Sequence, residues 1–389
     1  MNMPEKYQYY RLWADVDLNA IRSNILKVQK NLSERVKTCA VVKADGYGHG
    51  AVQVAEAVAD LVDFYAVATI EEGLELREHQ IWKPVLVLGY VHPSMYESAI
   101  MNGIRLTVYD LAIAKGLSDA HKRLISQAGS EQVKDAPIHI KVDTGMSRIG
   151  FFPSRESVQI LKEIASLPGI RMEGIFTHFA NADDKTADRA LGQLNVFRQF
   201  LSDLEAEGLH FPVRHCANSA AATCLKEAQM DMVRLGISMY GLYPSCYVRQ
   251  IPLEPAMSLR SHVIMVKKIP AGTPVGYGST WTAPEESVIA TIPTGYADGY
   301  NRGLSNKGYV LIGGAKYPVV GRVCMDQMMV DVTKPLEGRG SEVHEGDEVI
   351  LVGRSGNLCI TTEEISELAG SFNYEFVCGI SKRVPRIYH

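Results

Sequence analysis

Eight short apolar runs, separated by amphipathic stretches, occupy the first two-thirds of the chain and constrain its fold more than any other feature. The runs are rich in Val, Ile and aromatic residues and are mostly continuous, as in strands that are buried on both faces of a sheet. Eight such strands with helices between them predict a closed (β/α)8 barrel. A doubly wound open sheet is the alternative, but no GxGxxG motif opens the first helix. The runs are 39–43, 64–69, 84–90, 105–110, 138–144, 172–180, 213–219 and 232–242.

The residue pattern changes after Pro244, where helical periodicity largely stops. Short strand-like runs follow, separated by Gly, Pro and Asn turns, and they predict a second domain that is mainly β. We therefore expect a barrel over residues 12–245 and a β-rich domain over residues 246–389, to which residues 1–11 also belong.

Charge and apolar content exclude several classes of function. The 389 residues include 40 basic and 44 acidic side chains, so no basic excess indicates binding to nucleic acid. No apolar run is long enough to cross a membrane, and the N-terminus lacks the apolar segment of a secretory signal. The seven cysteines are widely spaced and form no CxxC pair, which argues against a disulfide framework or a metal site. We expect reduced thiols in a cytoplasmic protein.

Polar side chains follow five of the eight predicted strands. Lys43 ends the first run, and the glycines of DGYGHG then turn the chain sharply. The carboxyl ends of barrel strands form the catalytic face, so Lys43 is either a nucleophilic amine or a solvated charge. Unpaired burial of such groups is costly, so they must satisfy one another, as in a polar plug, or a ligand. The set comprises Lys43, Tyr47, Lys141, Asp143, Arg148, His178, Asp183, Asn218, Ser219 and Arg234, and Gly236 and Ile237 come shortly after the last of these.

Nine motifs, in order over nearly the whole chain, resemble those of the bacterial alanine racemase family. They are AVVKADGYGHG, KVDTGMSRIG, FTHFANAD, HCANSAA, VRLGISMYGL, VGYGSTW, PTGYADGY, GRVCMDQMMVDV and FNYEFVCGISKRVPRIY. The resemblance implies an enzyme that uses pyridoxal 5'-phosphate, with a barrel followed by a β domain, acting as a head-to-tail homodimer on L- and D-alanine. It also implies a supply of D-alanine for peptidoglycan.

The resemblance assigns roles to residues at the matching positions. Lys43 matches the lysine that holds the cofactor and acts as one base, and Tyr277 matches the second base, which comes from the partner chain. Lys141 matches a lysine that is carbamylated in some members; a pair with Asp143 is the alternative. The cofactor-binding positions are Tyr47, His178, Asn218, Ser219, Arg234, Gly236, Ile237 and Tyr374. The substrate-binding positions are Arg148, Tyr296, Met325 and Asp326, with Tyr296 and Tyr374 forming a narrow aromatic entrance.

Arg234 is the strongest indication of reaction type. It matches the family arginine that faces the pyridine nitrogen, and an arginine, which stays protonated, donates to an unprotonated nitrogen. Enzymes that place a carboxylate there make the ring a stronger electron sink. The weaker sink favours racemisation over transamination and disfavours decarboxylation. An ion pair between Arg234 and Asp231 is the structural alternative.

Other functions remain compatible with the motifs. A carrier or regulatory protein that binds pyridoxal phosphate needs the barrel lysine but not Tyr277, Met325 or Asp326. A serine or broad-spectrum racemase is a second alternative, because an apolar pocket rejects an added hydroxyl poorly.

Overall fold

The computed structural model describes residues 10–129 and 132–389, and two compact units emerge from its contacts. One unit comprises Ile21–Glu254; the other comprises Pro255–His389 with the N-terminal residues up to Ala20. These boundaries lie further along the chain than the predicted 11/12 and 245/246. The N-terminal boundary differs from the prediction because the strand β1, Leu12–Val16, pairs antiparallel with one strand of the second unit and parallel with another. The predicted placement of residues 1–9 lies outside the described part of the chain.

Eight parallel strands form the sheet of the first unit, in the order β8-β7-β6-β5-β4-β3-β2-β9. Hydrogen bonds from Asp231 N to Arg214 O and from Arg234 N to Ala217 O, both 3.0 Å, join β8 to β9 and close the sheet. The predicted (β/α)8 barrel is therefore confirmed. The strands are β2 Lys37–Val41, β3 Phe64–Val67, β4 Val85–Val87, β5 Ile104–Val108, β6 Ala136–Lys141, β7 Ile170–Phe176, β8 Val213–His215 and β9 Met232–Leu235.

Each predicted run overlaps one strand; four strands begin one or two residues before their runs, and every strand ends before its run does. The residues beyond the strand ends turn into the loops that carry the polar motifs. Amphipathic helices connect the strands; in Arg155–Ala165, for example, Val158, Leu161 and Ile164 form a buried stripe. The helices of eight or more residues are Leu18–Gln29, Ile70–Glu78, Leu111–Ala128, Arg155–Ala165 and Asp188–Ala206. Shorter ones are Ala51–Ala57, Tyr96–Met101 and Ser219–Cys224.

The second unit is built on one large sheet, with the order β11-β14-β17-β16-β15-β19-β10-β1-β21. The short strands β18 and β20 pair beside it with β16 and β19, and β12 pairs with β13. Helices Thr362–Leu368 and Asn373–Gly379 complete the unit, and the predicted β-rich C-terminal domain is confirmed. The strands are β10 Met257–His262, β11 Met265–Ile269, β12 Pro274–Val275, β13 Trp281–Thr282, β14 Ser287–Ile292, β15 Tyr309–Ile312, β16 Ala315–Val320, β17 Met328–Asp331, β18 Glu337–Gly338, β19 Glu348–Ser355, β20 Leu358–Ile360 and β21 Arg386–Tyr388.

The described residues contain neither a membrane-spanning helix nor a cluster of metal-binding side chains. No helix among them is both long enough and apolar enough to span a membrane. Within the same residues, no cluster of three or more His, Cys, Asp or Glu side chains is arranged to hold a metal ion.

Candidate active site

The chain makes a left-handed turn directly after Lys43. Ala44, Asp45, Gly46 and Tyr47 have φ values of 52°, 52°, 60° and 52°, a conformation that costs non-glycine residues about 1–2 kcal/mol each. Hydrogen bonds hold the turn: Ala44 N donates to Glu72 Oε1 (2.6 Å), and Ala51 N donates to Asp45 Oδ1 (2.9 Å). Strain of this kind is typical of functional sites, and here it fixes the backbone that carries Lys43 and Tyr47 at the carboxyl end of the barrel.

Hydroxyl and N–H groups converge near the carboxyl end of β9. Gly236 N donates to Ser219 Oγ (2.9 Å), and a Cβ at Gly236 would lie 2.7 Å from the Tyr47 hydroxyl. The glycine thus leaves room for that hydroxyl. Ser238 Oγ is buried and has no hydrogen-bond partner in the described chain. This cluster of donors suits an oxyanion.

Asn218 and Ile237 support this cluster. Asn218 caps the helix Ser219–Cys224, where its Oδ1 accepts a hydrogen bond from Ala221 N (3.0 Å), and so orients the first helical residue, Ser219. Ile237 is buried beside Gly236. Ser238 was not predicted; its only signal in the sequence is a serine that directly follows the Gly-Ile pair at a strand end.

The Arg234 guanidinium is buried, and several groups accept its hydrogen bonds. It donates to Thr177 O (3.0 Å) and Cys216 O (3.2 Å), and it contacts ring nitrogens of His215 (2.8 Å) and His178 (3.2 Å). Asp231 is occupied elsewhere, because its carboxylate accepts from Arg214 Nε (2.7 Å). The Arg234–Asp231 pair considered from the sequence is therefore wrong. Burial lowers the pKa of Arg234 to about 10, so the group still carries its charge at neutral pH.

Cations gather around His178. Desolvation and four neighbouring positive groups hold the pKa of His178 well below its usual value, so the ring is a neutral hydrogen-bonding group. The four cations are Arg234, Arg148, Lys141 and Lys43. The structure thus brings together, at one end of the barrel, His178 and the predicted basic residues in or after three other strands.

The side chains of Lys141 and Asp143, which the sequence offered as an alternative ion pair, bind different backbone groups. Lys141 Nζ donates to Val142 O (2.7 Å), whereas Asp143 Oδ1 accepts the N–H groups of Gly145, Met146 and Ser147 at 2.9–3.0 Å. Desolvation, with help from Arg234, lowers the pKa of Lys141 to about 8. A substantial neutral fraction near that pH is what reaction with carbon dioxide requires.

Arg148 and Asp183 complete the set of polar strand-end residues. Arg148 is exposed, although its charge reaches Lys141 and His178. Asp183 offers its backbone carbonyl to Ser245 Oγ (2.5 Å), and burial raises the pKa of its carboxyl.

The remaining predicted residues belong to the second unit and are largely exposed. Tyr277 is 71% exposed, Met325 53% and Tyr296 42%. The loops of Tyr296 and Met325 are joined, because Tyr296 N donates to Cys324 O (3.1 Å) and Ala297 N donates to Met325 O (3.0 Å). Tyr374 lies in the helix Asn373–Gly379, with its ring 5.5 Å from that of Phe372.

A buried carboxylate, Asp298, holds these loops and was missed in the sequence. It accepts from Arg11 Nη2 (2.5 Å), Arg383 Nε (2.6 Å) and Gly295 N (3.0 Å). Arg383 Nη2 also donates to Asp326 (2.5 Å). Burial alone would raise the pKa of Asp298, but the hydrogen bonds from Arg11 and Arg383 hold it below its usual value. Only the tertiary pairing of distant arginines identifies this residue.

Comparisons with known proteins cover both units. A family model described as "Alanine racemase, N-terminal domain" matches residues 16–244, and "Alanine racemase, C-terminal domain" matches residues 256–388. The chain is 44% identical to an alanine racemase of Methanococcus maripaludis over 97% of this chain and 98% of that protein. It resembles the solved alanine racemase of Clostridium difficile 630 with a TM-score of 0.91 and 39% identity, covering 98% of this chain and 96% of that one. The structure of alanine racemase from Bacillus anthracis with bound L-Ala-P matches at 36% identity and a TM-score of 0.88, covering 98% and 95%.

Proposed function

Because the chain belongs to the alanine racemase family of isomerases, we propose that it interconverts L- and D-alanine with pyridoxal 5'-phosphate held on Lys43. The resemblance predicted from the motifs is confirmed at the level of the family. The observation that carries the proposal further is the buried Arg234, which has no carboxylate among its hydrogen-bond partners in the described chain.

The residues present fit the cofactor. Tyr47, Ser219 and the unpartnered hydroxyl of Ser238 would hold the phosphate with the N–H groups of Gly236 and Ile237. When bound, pyridoxal phosphate withdraws electrons from the α carbon of an amino acid and makes the α proton acidic.

Arg234 would set the electronic character of the site. A guanidinium has donors only, so it bonds a ring nitrogen that carries no proton. Its pKa, although lowered to about 10, keeps it charged at working pH. Arg234 would thereby keep a bound ring the weaker electron sink, which favours return of the α proton over its loss, as racemisation requires.

Racemisation needs one base on each face of the α carbon. We assign Lys43 to one face and Tyr277 to the other. Tyr277 belongs to the second unit and is 71% exposed. An aromatic side chain as exposed as this one suits a role in the site of a second subunit, in a head-to-tail homodimer.

Substrate size would be set by the remaining residues. Arg148 would bind the carboxylate of the amino acid, and Met325 and Asp326 would lie beside it from the second subunit. Tyr296 and Tyr374 would narrow the entrance, which suits a methyl side chain. The supply of D-alanine for peptidoglycan and a cytoplasmic location stay predictions.

Purified protein with pyridoxal phosphate in heavy water tests the proposal. L-alanine and L-serine are supplied separately, and the products are separated on a chiral column with mass detection. We expect D-alanine that carries α-deuterium, formed faster than D-serine. Faster D-serine formation would make the protein a serine racemase. Neither amino acid exchanging its α proton, with the cofactor still bound at Lys43, would favour a carrier protein.

A further inference from the structure

A chain of hydrogen bonds runs through the barrel interior from Arg234 to Glu173. Arg234 Nη1 lies 2.8 Å from His215 Nδ1, and His215 Nε2 lies 2.8 Å from His139 Nδ1. His139 Nε2 lies 3.3 Å from Glu173 Oε2. Both imidazoles are fully buried. The chain joins strands β9, β8, β6 and β7, so it links the candidate site to the body of the barrel.

Glu173 is anchored by two arginines near the amino ends of the strands. Arg105, the second residue of β5, donates to both carboxylate oxygens, at 2.9 and 3.3 Å. Arg171, the second residue of β7, donates to Oε1 at 3.0 Å. Desolvation alone would raise the pKa of Glu173, but the hydrogen bonds from His139 and Arg105 hold it well below its usual value. Glu173 is therefore a fixed, ionised acceptor.

The two ends of the chain determine its direction. A guanidinium can only donate, so His215 Nδ1 must accept and the His215 proton must sit on Nε2. His139 Nδ1 then accepts a hydrogen bond from His215 Nε2–H, and His139 Nε2–H donates to Glu173. Both imidazoles are neutral in this arrangement, in agreement with desolvation, which lowers the pKa of each. Every donor meets an acceptor only if both rings carry the Nε2–H tautomer.

The backbone is shaped to allow this chain. The pairing of β6 with β7 passes from Ile138↔Met172 to His139↔Gly174, so Glu173 is an extra residue in a β-bulge. Bulges redirect side chains, and this one carries Glu173 toward His139. A Cβ at Gly174 would lie 2.5 Å from His139 Nδ1, so only a glycine leaves space for the imidazole.

Aromatic rings fix the planes of the two imidazoles. Phe176 stacks on His215 with ring centres 4.7 Å apart and planes 6° apart. Phe64 meets His139 edge-on at 6.1 Å. The rings have little freedom to rotate away from their partners.

We propose that His215, His139 and Glu173 are positioning residues for Arg234, with Glu173 as the fixed acceptor at the far end of the hydrogen-bond chain. The chain holds the guanidinium in one orientation and leaves its other donors for a bound group. What Arg234 binds rests on the proposed function; the tautomer pattern does not.

Nitrogen NMR of purified protein labelled with 15N-histidine tests the tautomers directly. The variants His139→Gln and His215→Gln assign the two side chains among the 11 histidines. We expect both to be neutral with the proton on Nε2. If the wild-type protein carried a proton on Nδ1 of either ring, or on both nitrogens of one ring, that result alone would overturn the proposal.

Two substitutions at Glu173 sharpen the test. Glu173→Leu leaves the His139 Nε2–H group without its acceptor, so we expect the His139 Nε2 resonance to shift, whereas Arg234 still holds His215 in the Nε2–H form. Glu173→Gln keeps an accepting oxygen without the charge and should leave that resonance close to its wild-type position. Asp231→Asn, in an ion pair with Arg214 outside the hydrogen-bond chain, is the matched control and should change neither ring. An unchanged His139 Nε2 resonance in Glu173→Leu would overturn the proposal.

The loaded enzyme supplies the functional readout. Glu173→Leu should lower kcat about tenfold with KM within about twofold, and shift the absorption band of the bound cofactor, since supporting partners of this kind contribute about that much around metal ligands. Glu173→Gln should restore most of the loss. A shifted His139 Nε2 resonance in Glu173→Leu with unchanged kcat and absorption would contradict the positioning role. Absence of racemisation by the wild-type protein would instead count against the proposed function. The histidine tautomers would still show whether the hydrogen-bond chain runs as described.

Discussion

The two sets of candidate residues differ in how the chain holds them. In the barrel, Arg234 is 3% exposed and is bonded on four sides, whereas Tyr277, in the second unit, is 71% exposed. A buried charge must be satisfied within its own chain because desolvation is costly, whereas an exposed aromatic side chain is available to another chain. The barrel set is therefore organised by one chain, and the second set suits use by a partner.

The largest expected effect is at Lys43. Lys43→Ala removes the group that would hold the cofactor and serve as one base, so racemisation should fall by about 10⁴-fold or more. Lys43→Arg keeps the positive charge without a usable nucleophile and should be equally inactive. The assay is chiral chromatography of alanine. Activity of either variant within tenfold of the wild type would remove Lys43 from the mechanism.

Tyr277→Phe tests the exposed set. Loss of the second base should lower racemisation by about a hundredfold or more, while the free energy of unfolding stays within about 0.5 kcal/mol because the hydroxyl is exposed. Chiral assays and urea unfolding measure the two. Tyr247→Phe, another exposed tyrosine (52%), is the matched control and should change neither quantity. A large loss of stability at Tyr277 with retained activity would reverse the comparison.

Arg234→Gln tests the buried set and should affect stability as well as chemistry. It removes a buried charge and leaves its acceptors unsatisfied, which we expect to cost about 3 kcal/mol in the free energy of unfolding. The assay is urea denaturation, and the control is Arg214→Gln, a half-exposed ion pair worth about 1 kcal/mol or less. Equal effects of the two substitutions would show that Arg234 is not held as described.

Lys141 gives a smaller, pH-dependent effect. Its pKa falls from 10.5 to about 8, so the unfolded chain binds this proton more tightly than the folded one. Its contribution to stability should therefore rise as pH increases from about 8 to 10.5. Lys141→Met should abolish this rise and increase the free energy of unfolding at pH 7 by about 2 kcal/mol.

Urea titrations across that pH range measure the Lys141 effect. Lys122→Met, at an exposed lysine, is the control and should leave the slope unchanged. The same pH dependence in Lys141→Met as in the wild type would show that burial does not penalise the Lys141 charge.

Local patterns were sufficient to predict the barrel and its polar strand ends. Each of the eight apolar runs overlaps a strand, because continuous burial leaves a readable pattern of residues. The ends of these runs were less well predicted, since residues such as Tyr47 lie in a strained turn rather than a strand.

What could not be predicted depends on contacts between distant residues. Leu12–Val16 looks like a strand entering a barrel helix, but its partners are β10 and β21. Asp231, close to Arg234 in sequence, pairs with Arg214 instead. Asp298 and Glu173 acquire their roles from arginines that are distant in sequence, and a bulge in β7 has no distinct local signature.

Mixing two inactive variants tests the central claim, that each complete site combines Lys43 of one subunit with Tyr277 of another. Lys43→Ala and Tyr277→Phe proteins are mixed in equal amounts, dissociated, reassembled and assayed for alanine racemisation. We expect recovery of about a quarter of the wild-type rate, since about half of the dimers are mixed and each has one complete site. No recovery beyond the unmixed variants, with mixed dimers demonstrated, would contradict the shared site and place both residues within one chain.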